Sequence, residues 1–127
     1  MPRIFLLLLV ALFLAKTVSP DPPAVLLSVT PAVVYAPATI QFKIIVEPNS
    51  NNRILCWGWD SEEGSFRSSC EELEGELAPK TYWFTYSDVG SGHYEAFAQV
   101  FRAPRALVAG TATTKFRVLP EIGDPND

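Results

Sequence analysis

Ile54-Leu55-Cys56-Trp57-Gly58-Trp59-Asp60 is the stretch whose pattern decides the fold. Leu55, Trp57 and Trp59 alternate with Cys56, Gly58 and Asp60. A period of two sends successive side chains to opposite faces of a strand, so one face here is aromatic and the other small or polar. Aromatic side chains bury roughly 150–250 Å² each, which suits the central strand of a two-layer β-structure. The same rings admit a second use, as a stacking platform for sugar. In that case Trp59 is the ring nearest the following loop, and Tyr82 and Trp83 are its candidate companions.

Working outward, the flanking segments repeat the strand pattern. Val25 to Pro31 reads as an edge strand ended by proline. Pro31 and Pro37 bracket a short segment, Ala32 to Ala36. Ile40, Phe42, Ile44 and Val46 then alternate with Gln41, Lys43, Ile45 and Glu47, and Pro48-Asn49-Ser50-Asn51-Asn52 supplies turn chemistry. Beyond the tryptophans lie an aromatic strand, Lys80 to Tyr86, a loop, Ser87 to Gly92, and an alternating strand, Tyr94 to Phe101. A turn at Ala103-Pro104-Arg105 leads to a last strand, Thr111 to Leu119. About seven short strands with turn signals between them predict an all-β chain, an immunoglobulin-like antiparallel sandwich.

The N-terminus reads differently. Arg3 precedes an apolar run from Ile4 to Ala15, shorter than the ~20 residues of a membrane span and suited to a secretory h-region. Residues 1–17 are expected to be a signal peptide, with an uncleaved anchor as the other possibility. Residues 18–24 form a proline-rich linker, 25–119 the sandwich, and 120–127 an acidic tail. The expected location is secreted or cell-surface, with membrane contact only through an uncleaved N-terminal segment.

The 127-residue chain has a formal charge of −4. Removing residues 1–17 takes away Arg3 and Lys16 and leaves eight basic against fourteen acidic residues, which argues against nucleic acid as a partner. The acidity is local. Asp60 to Glu76 carries seven acidic residues and only Arg67 against them. Cys56 and Cys70, the only cysteines, flank part of that segment. In an exported chain an even cysteine count predicts a disulfide, and closing this loop contributes about 3 kcal/mol in the chain-entropy account. The segment is expected to be a long acidic loop pinned at its base. Asp60, Glu62, Glu63, Glu71 and Glu72 are its candidate binding residues, and Asp60, Glu62 and Glu63 a candidate calcium trio. Ser87, Asp88 and His93 fall on one loop, whereas a catalytic triad needs groups converging from separate elements. No catalytic residues and no cofactor are predicted.

The order of these features resembles the PKD-type (polycystic kidney disease) domain, an immunoglobulin-like extracellular module. Trp57-Gly58-Trp59-Asp60-Ser61-Glu62-Glu63-Gly64-Ser65 is similar to that family's Trp-Asp-Phe-Gly-Asp-Gly-Ser stretch, Thr81-Tyr82 to the start of its His-x-Tyr strand, and Gly92-His93-Tyr94-Glu95-Ala96 with Val100 to its Gly-Thr-Tyr-x-Val strand. The Gly-Asp-Gly core is replaced by Ser61-Glu62-Glu63-Gly64. The resemblance implies a non-catalytic interaction or structural module with a protein or glycan partner. The alternative is a small carbohydrate-binding module using exposed aromatics.

Overall fold

The alternation in Ile40–Val46 and Leu55–Trp59 is realised as two facing antiparallel layers. The computed structural model describes residues 22–123. The signal-peptide segment 1–17, the start of the linker and the end of the tail lie outside the described residues. Eight strands follow in order: β1 (Val25–Thr30), β2 (Val33–Tyr35), β3 (Ala38–Val46), β4 (Asn52–Ser61), β5 (Phe66–Glu72), β6 (Thr81–Val89), β7 (Gly92–Arg102) and β8 (Leu107–Leu119). A 3₁₀ turn, Gly75–Leu77, interrupts the β-structure between β5 and β6. One sheet has the order β1-β3-β6 and the other β2-β8-β7-β4-β5. Every pairing is antiparallel except that of β2 with β8. This is the immunoglobulin-like arrangement, with an added edge strand after the central tryptophan strand.

The core forms where the two inner faces meet. β3 contributes Ile40, Phe42, Ile44 and Val46, β4 contributes Leu55, Trp57 and Trp59, and β7 contributes Tyr94, Ala96, Ala98 and Val100. Trp59 is only 6% exposed. Its ring meets Tyr86, Tyr94 and Phe116 edge-on at centroid distances of 5.0, 5.9 and 6.1 Å and Phe42 at 6.2 Å. Such pairs add about 0.5–1.5 kcal/mol each beyond the area they bury. Trp57, equally buried, stacks on Phe84 at 3.9 Å and donates its indole N–H to Tyr86 Oη at 2.7 Å.

The acidic segment departs from expectation. It is not one long loop but a hairpin, in which β5 pairs with β4 from Ile54↔Glu72 to Asp60↔Phe66 without a bulge. Cys56 and Cys70 face each other directly in that pair and form a disulfide, with Cα atoms 4.1 Å apart. The bridge therefore ties two strands at mid-length and does not close the base of a loop. Gly58, two residues on, stands so close to β5 that a Cβ there would run into the Arg67 carbonyl oxygen. Phe66–Glu72 is rich in serine and glutamate, with little intrinsic strand preference. What recruits it is the open edge of β4 and the covalent tie.

Two outcomes test this account. Gly58→Ala should destabilise by about 1–3 kcal/mol or more, the range for overpacking a fitted site, as read by denaturant unfolding. Trp57→Ala should cost about 3–5 kcal/mol; wild-type-like unfolding of that variant would contradict its placement in the core.

Candidate metal centre

The site is built where the β4–β5 turn meets the start of β7. Ser61 ends β4, its N–H donating to the Ser65 carbonyl at 2.8 Å, while Ser65 N–H donates to Ser61 Oγ at 2.8 Å. Gly64 takes φ +90°, a conformation open to glycine and strained for other residues. These bonds fold Glu62 and Glu63 into a tight turn. Glu62 N–H then donates to the His93 carbonyl at 3.0 Å, extending the β4–β7 ladder past the end of β4. The turn is thus held against the second residue of β7.

Three side chains converge there. The Glu63 carboxylate accepts from the His93 backbone N–H at 3.2 and 3.3 Å, and its Oε1 lies 3.3 Å from His93 Nδ1. Glu62 Oε2 is 3.9 Å from the same ring nitrogen. One ligand atom from each of Glu62, Glu63 and His93 lies within 4.8 Å of the others. The backbone N–H of His93, seconded by its imidazole, holds the Glu63 carboxyl below the ordinary glutamate range, because both favour the charged form. Gly92 makes room for this carboxylate: a Cβ on it would lie 2.9 Å from Glu63 Oε2 and 3.2 Å from the Tyr94 ring.

The floor beneath is rigid. Tyr94 stacks on Phe116 at 4.7 Å with the rings 3° from parallel, and its hydroxyl donates to the Gly90 carbonyl at 2.7 Å. This is the tyrosine corner of immunoglobulin-like folds, placed near the start of the strand and bonded a few residues back. Burial, then the charge of Glu63, pushes the Tyr94 hydroxyl above its usual range. From the carboxylate corner a groove of about 590 Å³ crosses the ends of β4, β7 and β8 to β2. Asp60, Glu62 and Glu95 line one part, Lys115 and Arg117 another. The register explains the order, since Asp60 faces Glu95, Glu95 faces Lys115, and His93 faces Arg117.

Several expectations are corrected by this geometry. Glu62 and Glu63 stay together, but Asp60 falls outside the ligand group and His93 takes its place, so the calcium trio does not form as expected. Asp60 sits on the sheet ladder, in register with Glu95 and Phe66, and cannot turn with the hairpin tip. Glu71 and Glu72 lie at the opposite end of β5, against Leu55 and Ile54, so the five acidic residues do not share one surface. The aromatic platform is likewise dissolved. Trp59 and Tyr82 are buried in the core, while Trp83 is 55% exposed on the outer face of the three-stranded sheet, under Lys43 Nζ at 5.1 Å. Alternation along β6 sends Tyr82 and Trp83 to opposite faces. The His93 ring approaches Glu63, not Ser87 or Asp88. Sequence reasoning missed Gly92, Lys115 and Arg117, and read His93 only as a loop residue. The only available signal was the Gly-His-Tyr order, and its value depends on a cross-strand register that the sequence does not spell out.

No family model and no curated protein matches the chain. Among solved structures it is similar to the superoxide reductase (neelaredoxin) of Ignicoccus hospitalis, with a TM-score of 0.50 and 18% identity, covering 77% of this chain and 80% of that one. A variant of the same protein matches at TM-score 0.50 and 17% identity over 85% and 86% of the two chains. The CARDB domain of a Pyrococcus furiosus protein, in complex with di-metal ions, matches at TM-score 0.45 and 14% identity over 82% of this chain and all of that one. At these identities the likeness is one of fold, and the PKD resemblance reduces to an immunoglobulin-like sandwich. The expectation of a non-catalytic interaction module, or of a carbohydrate-binding alternative, is corrected to this extent: it rested on fold class, and superoxide reductases, which are catalytic, share the fold.

Tyr94→Phe removes the corner bond without changing the ring. It should cost about 0.5–1.5 kcal/mol, the usual net value of a hydrogen bond, in chemical denaturation.

Proposed function

We propose that the chain is an exported metal-binding domain that holds one divalent cation between Glu62, Glu63 and His93, with open coordination positions towards the adjoining groove. The observation that carries this is the convergence of two carboxylates and one imidazole from separate elements within 4.8 Å. Three protein ligands with a free position is the layout of metal sites that act on an exogenous ligand, whereas structural sites are closed by a fourth. The donor set narrows the metal. Calcium takes six to eight oxygens, while an imidazole beside carboxylates suits zinc or manganese better. Export is supported by the Cys56–Cys70 disulfide, which belongs to an oxidising environment, and by the apolar run of residues 4–15.

Chemically, the chain's own groups would orient the ion and what binds it. Glu63, ionised and anchored by the His93 N–H, fixes one ligand position before any metal arrives. An ion there would take the lone pair of His93 Nδ1, the ring nitrogen 3.3 Å from Glu63 Oε1. Lys115 and Arg117 give the far side of the groove positive charge.

Calorimetric titration of the protein with zinc and with manganese tests the reading. One ion per chain is expected. His93→Ala and Glu63→Gln should each weaken binding by more than about tenfold, the scale already reached by outer-shell changes at metal sites. Gly92→Ala, which only displaces Glu63, should weaken it less. Equal binding by wild type and His93→Ala, or none by wild type, would refute the site.

A further inference from the structure

We propose that β5 pairs with β5 of a second copy of this chain, joining two five-stranded sheets into one across a two-fold axis. β5 ends its sheet, so one side of its backbone has no neighbouring strand among the described residues. The disulfide shows which groups are free. Directly opposed residues in an antiparallel pair stand about 5.5 Å apart when hydrogen-bonded and about 4.5 Å when not. Cys56 and Cys70 stand at 4.1 Å, a non-hydrogen-bonded pair. The N–H and C=O of Cys70 therefore point away from β4, as do those of Phe66, Ser68 and Glu72. The opposite parity agrees, since Leu73 N–H donates to the Arg53 carbonyl at 2.7 Å and Ser61 N–H to the Ser65 carbonyl.

Edge strands are normally blunted by proline, a bulge or charged side chains; β5 has no proline and no bulge, only the charges Arg67, Glu71 and Glu72. These charges are self-complementary. Arg67 lies towards one end, Glu71 and Glu72 at the other. Antiparallel pairing centred on Ser69 sets Ser68 against Cys70 as a hydrogen-bonded pair and Arg67 against Glu71, twice by symmetry. Shifting the centre by one residue either way puts Arg67 opposite Ser69 or Leu73 and loses both pairs. Arg67 is already held in place, its guanidinium over the Tyr86 ring at 4.4 Å, and it makes no ion pair among the described residues. β6, one of the two edge strands of the other sheet, carries Asp88 as its one charged residue and cannot complement itself.

Sedimentation velocity over a concentration series tests this with four proteins: wild type, Arg67→Glu, Glu71→Lys and the double variant. Wild type should dimerise, and each single variant should be monomeric because like charges then face each other. The double variant should dimerise again. Mixing the two single variants should form a heterodimer, since each then supplies the charge the other lacks. Circular dichroism confirms folding; if Arg67→Glu fails to fold, wild type and Glu71→Lys decide. A wild type that stays monomeric, or single variants that dimerise as well as wild type, would overturn the proposal.

Discussion

Trp59 is the point on which the rest of the structure turns. Its ring lies among Phe42, Tyr86, Tyr94 and Phe116, which come from both sheets. Holding that ring inward settles the facing of all of β4, because a slip of one residue would carry every side chain to the other side. With Trp59 and Trp57 inside, Cys56, Gly58 and Asp60 must look outward. The disulfide, the close approach of β5 and the acidic wall of the groove are consequences of that one choice. Arg67 closes the open side, its guanidinium 5.6 Å from the Trp59 ring and 4.4 Å from Tyr86.

The grouping of Glu62, Glu63 and His93 depends on β4 pairing with two neighbours at once. β7 aligns His93 just past the end of the strand, while the hairpin to β5 returns Glu62 and Glu63 to that level. A carboxylate on a free loop would lose conformational entropy on binding an ion. Here most of that loss has been met by folding, since the turn is hydrogen-bonded within itself, to the His93 carbonyl and to the His93 N–H. Tyr94, fastened at both ring and hydroxyl, keeps the start of β7 from shifting beneath it.

What could be read beforehand was whatever repeats locally along the chain. The alternation of Ile40–Val46, Leu55–Trp59 and Tyr94–Val100 announced the strands and their inner faces, and two cysteines in a chain with an apolar N-terminus announced the bridge. The strand β5 was not legible, because Phe66–Glu72 has no apolar face of its own: alternate positions are exposed on both sides. The grouping of Glu62, Glu63 and His93 was not legible either. It joins residues thirty positions apart through a register determined by core packing, which leaves no trace in the spacing of the residues themselves. The aromatic platform failed for a related reason. Aromatic content locates mass for a core but does not say which ring stays outside, and only Trp83 did.

The concentration of negative charge between Asp60 and Glu76 suggests one acidic surface, yet folding divides it. A hairpin sends the charges of its turn and those of its return strand to opposite ends. Glu62 and Glu63 go to the corner with His93, and Glu71 and Glu72 to the far end of β5 beside Ile54 and Leu55. Repulsion between the two groups is thereby reduced, since exposed charges separated by more than a Debye length, about 8–10 Å at physiological salt, hardly interact. Each group is also left with a different neighbour. At the corner the carboxylates meet an imidazole and a backbone donor. Along β5 they share a strand with Arg67, which gives that edge opposite charge at its two ends. One stretch of sequence therefore yields two surfaces of distinct chemistry, and the strand parity set by Trp59 separates them.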